Sequence, residues 1–487
     1  MRLGSLLNAA GLADVDQLRE AMRLQLRDGG QLGDIVAGME GADRAALAAF
    51  LARVPAEPRT IAETGIPERE LVSLLLKHML LGGHETASAL AEAMRLGGGV
   101  IAPLLDIAVR QQCVAHAGSE GASGGEMRYL LTMAGRRQAS DAFEQCRYIG
   151  PAPVSIEAFR DQIERQRIAR ERVTRAAVVG AFDGLVVGEA FVRQIGPALN
   201  SGRGLLLYGP PGNGKTSLAL RLRRLFDDIV FLPHAVSVDG QIIRHFDAGV
   251  HEPLALPPGL RERRQVVVRD PVDRRWVACR RPFVVAGGEL GLEMLDLAFD
   301  PVTRFYEAPL PMKAIGGCFV IDDFGRQKAP PPSLLNRWIV PLESGFDLLK
   351  LHTGKSFSLP FDEVVIFSTN IAPEALLDTA LLRRIPYKIE VGGPSLDEFR
   401  VMLGSHARAN GMDLADEMFD FAVHQIQHVR NARLAAYHAS FLVDQMLAAA
   451  RFRDEPPRFA RDLIEDAVRN LRIAADDAES LLVQPAL

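Results

Sequence analysis

The chain has 487 residues, of which 48% are hydrophobic, 24% charged and 6% aromatic; that length suggests about three domains rather than one core. Its formal net charge of −5 gives no global positive field, so any contact with nucleic acid would need a local basic patch. Four cysteines with no Cys-x-x-Cys spacing (Cys113, Cys146, Cys279 and Cys318) read as reduced, mostly buried thiols rather than disulfides or a zinc site.

Residues 1–60 hold an internal repeat. "RLGSLLNAAGLADVDQLREAMRLQ" is followed by "QLGDIVAGMEGADRAALAAFLARV", in which Leu32, Gly33, Val36, Leu47 and Leu51 return in the same frame. Each copy predicts a short helix, a Gly or acidic turn, and a second helix with apolar residues at helical spacing. Acidic residues stand where a signal peptide needs an apolar run, and no stretch approaches the ~20 apolar residues of a membrane helix, which predicts a cytoplasmic protein. The first copy resembles the MshEN domain found at the N-terminus of type II secretion and type IV pilus ATPases. Arg2, Leu3, Gly4, Leu7, Leu18, Met22 and Gln25 match its pattern, and Ala13 is smaller than the pattern expects. The resemblance implies a cyclic di-GMP site at Arg2, Leu3, Gly4 and Gln25, where an arginine can pair with guanine O6 and N7. In the second copy Gln31 replaces the arginine and Val54 the closing glutamine, so a structural or partner-docking use stands beside the ligand reading.

Residues 61–148 form a second unit. "ERELVSLLLKHMLLGG", "ETASALAEAMRL" and "GGVIAPLLDIAVRQQ" predict three helices, and "CVAHAGSEGASGGEMRYLLT" two short strands around a Gly/Ser wing before a further helix. This order resembles a winged-helix domain. Its third helix carries only Asp106 and Arg110 as charges between Val100 and Gln112, with Arg128, Arg136 and Arg137 near the wing. Phosphate binding needs several Lys or Arg, so protein interaction is favoured over DNA binding. "YIGPAPVS" then marks a boundary, and "EAFRDQIERQRIARERVTRA" reads as a charged helical connector, giving a linker over 149–175.

The sequence "GPPGNGKT" at 209–216 fits G-x-x-x-x-G-K-[ST], with an apolar strand before it and a helical stretch after. Its glycines let backbone N–H groups curl around phosphates, and the following helix adds its positive end. Gly209, Pro210, Pro211, Gly212, Asn213, Gly214, Lys215, Thr216 and Ser217 are therefore the candidate ATP-binding residues. Lys215 would reach the β- and γ-phosphates, and the Thr216 hydroxyl would ligate Mg²⁺. The long segment 239–313 reads as an insertion. Within it "RQVVVRDPVDRRWVACRRPFVVAGGEL" predicts a β-hairpin with a basic tip, and Phe305 and Tyr306 are either a grip for a polypeptide or a packed aromatic pair. "CFVIDDFGR" is an apolar strand ending in Asp322, placed to hold Mg²⁺, and Asp323, placed to orient or deprotonate water, where glutamate is more usual. "EVVIFSTN" ends at Asn370, and Arg383 and Arg384 precede a further strand.

Together these motifs resemble the AAA+ ATPase family over about 173–470, and "KAIGGCFVIDDF" is similar to MoxR-like members with an insertion before the second motif. The resemblance implies Walker A at 209–216, Walker B at Asp322 and Asp323, sensor 1 at Asn370, and an arginine finger at Arg383 or Arg384. It further implies a ring, usually hexameric, and an adenine-covering segment at 181–192. Residues 396–473 predict the family's helical lid, but Ala439 and Ser440 occupy the place of its sensor-2 arginine, with Arg433 nearby. The expected fold is multidomain α/β: a P-loop core of parallel sheet and helices over 176–392 and a lid over 393–487. The expected function is a Mg²⁺-dependent ATPase remodelling an unidentified protein client. The alternatives are a DNA-associated regulator and a nucleotide-gated scaffold with slow hydrolysis.

Overall fold

A computed structural model describes residues 3–119, 126–168, 172–254, 272–376, 379–429 and 432–471. At its centre is a five-stranded, all-parallel sheet. Its strands run Tyr387–Glu390, Leu205–Tyr208, Val364–Thr369, Cys318–Ile321 and Phe283–Ala286 across the sheet. The three inner strands are apolar on both faces because both are covered. Leu205, Leu207, Val320 and Ile366 pack under the helices Glu189–Asn200 and Lys215–Arg221, while Leu206, Phe319, Ile321 and Phe367 pack against Trp338 of helix Pro331–Ser344. Trp338 sits edge-on to Phe367 at 6.0 Å between ring centroids. The strand ending at Asn370 lies between the P-loop strand and the aspartate strand. This order is that of a P-loop core, an all-parallel sheet covered by helices, within a multidomain α/β chain.

A second five-stranded sheet runs Ala298–Asp300, Phe305–Glu307, Gln241–Arg244, Ala235–Val238 and Val154–Ser155. It corrects three expectations. First, 149–175 is not a free connector: Val154–Ser155 is an edge strand, and helix Ile156–Arg165 buries Phe159 and Ile163 under the sheet. Its charges lie on the outer face of a strongly amphipathic helix, so composition alone read as a solvated linker. Second, the expected hairpin does not form from its second half. Trp276–Arg280 pairs antiparallel with Ile229–Pro233, whereas Phe283–Ala286 pairs parallel with Cys318–Ile321 as the edge of the central sheet. The intervening Arg281–Pro282 breaks the run, and a short β-branched run looks alike in a hairpin and in a parallel sheet. The hairpin's first strand, within 255–271, lies outside the described residues. The insertion at 239–313 is thus interrupted by a strand of the core itself. Third, the two arginines of its basic tip that are described, Arg274 and Arg275, turn inward rather than out to solvent. Arg275 is paired with Asp273, both almost wholly buried, and donates to the carbonyls of Thr64 and Pro153, while Arg274 donates to Ala91 and Leu96.

Phe305 and Tyr306 are the packed pair. Tyr306 is 1% exposed and its hydroxyl accepts from the His352 backbone N–H at 2.8 Å; Phe305 meets Tyr148 edge-on. His352 tops a hairpin absent from the sequence reading, Phe346–Lys350 with Ser356–Pro360, which Arg160 ties to helix Ile156–Arg165 through the Ser358 carbonyl.

The N-terminal repeat forms four helices, Leu3–Ala9, Val15–Asp28, Leu32–Ala37 and Arg44–Leu51, in the expected pairs. Gly33 is needed for their approach, since a Cβ there would lie 2.6 Å from Leu51 Cδ1. Their core is continuous with that of the second sheet, and Phe50 contacts Phe231 at 6.4 Å between ring centroids. The next unit also follows expectation: helices Glu68–Gly82, Ala87–Met94 and Gly98–Arg110, the antiparallel strands Val114–Ser119 and Met127–Leu131, then helix Met133–Gln145. After the core come helices Leu396–Ala409, Asp416–His424, Tyr437–Arg453 and Arg461–Asn470, packed around Phe399, Leu442, Met446 and Ile464. All four cysteines are unpaired. Among the described residues, no helix is long and apolar enough to cross a membrane.

Candidate active site

Parallel α/β sheets place their functional groups where the strands end, at the carboxyl edge. Here Tyr208 leads into the glycine-rich loop, Ile321 into Asp322 and Asp323, and Thr369 into Asn370, so the three motifs meet at one edge. Gly209, Gly212 and Gly214 hold φ of 141°, 78° and 77°, which glycine adopts without a Cβ clash. The loop ends at helix Lys215–Arg221.

The Thr216 hydroxyl lies 3.0 and 2.8 Å from the two oxygens of Asp322. A hydroxyl and a carboxylate side by side are hard oxygen donors, and Mg²⁺ takes one or two such protein ligands, filling its remaining positions with water and phosphate oxygens. No cluster of three or more His, Cys, Asp or Glu suited to a metal exists among the described residues, so this donor pair is the metal candidate there. Asp323 is exposed, with φ of 48°, and its Oδ1 lies 3.4 Å from Asn370 Nδ2, a long hydrogen bond. The turn that carries both aspartates is shaped by Gln327, which sequence reading missed. Its amide donates to the carbonyls of Asp322 at 2.9 Å and Asp323 at 3.1 Å and accepts from Gly325 N–H at 2.8 Å. No motif spacing flags such a residue; only the fold around the turn does.

Lys215 is turned back on its own loop, donating to the carbonyls of Gly209 at 2.9 Å and Pro210 at 2.8 Å. Burial lowers its pKa, and the facing Asp323 and Asp322 pull it the other way. Pro211 and Ser217 are exposed on the loop and on the first turn of the helix. Asn213 is buried and accepts from the Ala436 backbone N–H at 3.1 Å. Beside it the Tyr437 N–H donates to the Gly212 carbonyl at 2.9 Å. Ala439 and Ser440 lie on the first turn of the same helix, and Arg433 is exposed before it.

Arg383 and Arg384 end helix Thr379–Arg384. Arg384 Nε pairs with Glu343 at 2.6 Å, while Arg383 is exposed. In the segment 181–192, Phe182 is buried edge-on to Phe191 at 5.6 Å, and Asp183 accepts from Arg221. In the N-terminal unit Leu3 and Gly4 are buried in the helical core, and Gln25 donates to the Gly30 carbonyl at 3.1 Å. Arg2 lies outside the described residues.

A family model described as a domain of unknown function (DUF8689) matches residues 395–470, the helical unit after the core. No curated protein matches the chain. Among solved structures, NtrX from Brucella abortus is 12% identical, with 61% of this chain and 58% of that one covered at a TM-score of 0.36. NtrX in complex with ADP is 12% identical over 61% and 59% at 0.34. The Holliday junction branch migration motor RuvB of Thermotoga maritima is 15% identical over 66% and 72% at 0.32. The match therefore spans less than two thirds of NtrX. These superpositions are loose, and the fold assignment above rests on this chain's own strand order.

Proposed function

We propose that the chain is a Mg²⁺-dependent ATPase that works as a ring, hexameric by the family resemblance, and remodels a protein client selected by its N-terminal units. The observation that carries the reading is the Thr216–Asp322 pair at the carboxyl edge of a P-loop sheet. Loop N–H groups and Lys215 bind the phosphates, and Thr216 and Asp322 would hold the metal. A Mg²⁺ held there would supply neutralisation of phosphate charge. Asp323 orients a water and takes its proton as the water oxygen attacks the γ-phosphorus and the bond to the β-phosphate oxygen breaks. Asn370, beside Asp323, holds that water in line. An exposed arginine at a helix end, Arg383, suits a contact with the nucleotide of a neighbouring subunit, since Arg384 is engaged by Glu343.

One observation favours a second reading, a nucleotide-gated scaffold with slow hydrolysis: the short Asp323 side chain meets Asn370 only at 3.4 Å. ATP turnover per subunit, measured over a wide range of protein concentration, separates the two. Turnover that climbs and saturates supports a site completed by assembly; turnover near zero at every concentration, with ATP still bound, favours the scaffold.

A further inference from the structure

The lid helix Tyr437–Arg453 starts against the P-loop, and three contacts fix it there. The Tyr437 N–H donates to the Gly212 carbonyl at 2.9 Å, and the Ala436 N–H donates to Asn213 Oδ1 at 3.1 Å. The Tyr437 ring lies so close over Gly212 that a Cβ built there would be 2.3 Å from its Cδ1. Gly212 is thus constrained twice, by its φ of 78° and by the ring above it. In the same loop Lys215 is turned onto the carbonyls of Gly209 and Pro210. A loop that wraps a phosphate must turn its N–H groups and its lysine inward toward the anion. The present arrangement ties one loop carbonyl and one loop side chain to the lid and commits the lysine to the loop itself.

We propose that Tyr437 is a latch that joins the lid to the P-loop and holds the loop in a conformation with reduced affinity for a nucleoside triphosphate. Lifting the first turn of the lid helix releases Gly212 and Asn213, so that the loop carrying Lys215 can rearrange around phosphate. The lid of this chain therefore senses nucleotide through an aromatic ring and two backbone donors, at the helix turn where Ala439 and Ser440 stand in place of a charged side chain. The inference rests on the P-loop reading above. When only a fraction of molecules is competent, apparent affinity falls by that fraction, and removing the latch restores it.

The test is stopped-flow association of a fluorescent ATP analogue with full-length wild type, Tyr437→Ala, Tyr437→Phe and Lys215→Ala. Amide hydrogen exchange of the nucleotide-free proteins at 436 and 437 is followed alongside. The latch predicts that Tyr437→Ala associates roughly ten-fold faster and binds tighter, with faster exchange at both amides. Tyr437→Phe, which keeps the ring, should behave as wild type. Slower association or faster dissociation in Tyr437→Ala would make Tyr437 a direct ligand of the nucleotide and overturn the latch, as would unchanged rates. If wild type and Lys215→Ala bind the analogue equally, or neither binds, it is the P-loop reading that fails.

Discussion

Asp362 offers a sharp test of the electrostatics that join the central sheet to its surroundings. It is 5% exposed, just ahead of strand Val364–Thr369, and both its oxygens accept from the Ile168 N–H at 3.2 and 3.1 Å. Burial pushes its pKa up to about 7 from an ordinary 3.8, against smaller opposing pulls from that N–H and from Arg281. Its neighbour Glu363, 2% exposed, is raised by burial in the same direction. A raised folded-state pKa means that the folded protein holds the proton more tightly than the unfolded chain. The favourable contribution is complete below the unfolded pKa and is lost as pH rises through the folded one. A displacement of about three pKa units corresponds to roughly 4 kcal/mol between the limits, of which roughly 3 kcal/mol falls between pH 5 and pH 8. Asp362→Asn keeps an acceptor for Ile168 and removes the charge. It should gain stability over wild type progressively from pH 5 to pH 8. Denaturant unfolding at several pH values can be followed through the chain's two tryptophans, of which Trp338 packs against the central sheet from helix Pro331–Ser344 and Trp276 lies in the core beside the second sheet. A difference between variant and wild type that stays flat with pH would refute the assignment of the cost to Asp362.

Asp322→Asn should retain nucleotide but lose most Mg²⁺ dependence of binding, with turnover down roughly 10²–10³-fold, checked by titrations with and without the metal. Asp323→Asn should bind ATP and Mg²⁺ as wild type while turnover falls roughly 10²-fold, the split expected of a water-positioning group. Mixing Arg383→Ala subunits with Lys215→Ala subunits should restore part of the turnover if Arg383 serves its neighbour's nucleotide; Arg384→Ala should instead lower stability by about 1 kcal/mol or less through its exposed partner Glu343. Full-length protein should show no salt-dependent retention of duplex DNA, because helix Gly98–Arg110 carries few charges; log-linear weakening with salt would revive the DNA reading.

The strand ends of the central sheet were legible because the motifs that follow them set residue type at fixed spacing. Lys215, Thr216, Asp322 and Asn370 each follow an apolar strand that needs no partner information to be read, and the structure brings those ends together. The helical order of residues 3–145 was legible from periodicity, and the structure adds caps such as Asp14 with Gln17 and Thr86 ahead of Ala89. Hidden were features set by long-range pairing. Phe283–Ala286 reads alike as hairpin arm or parallel edge, and Val154–Ser155 is too short to signal a strand. Tyr437 looked like one more lid residue because its importance lies in touching Gly212, far away in sequence.

The composite second sheet has a consequence for how this chain can be cut and how it can carry signals. Its strands come from before the P-loop, from between the P-loop and the aspartates, and its rim is closed by the hairpin that follows them. Arg275 bolts this assembly to the carbonyls of Thr64 and Pro153. A truncation that removes residues up to 148 would take away an acceptor of the buried Arg275 guanidinium, and one up to 175 would also strip the edge strand Val154–Ser155, leaving unpaired backbone and charge behind. Deletions at those two borders should therefore report damage rather than modular loss of function. The N-terminal helices thus rest on a continuous packed core rather than at the end of a tether.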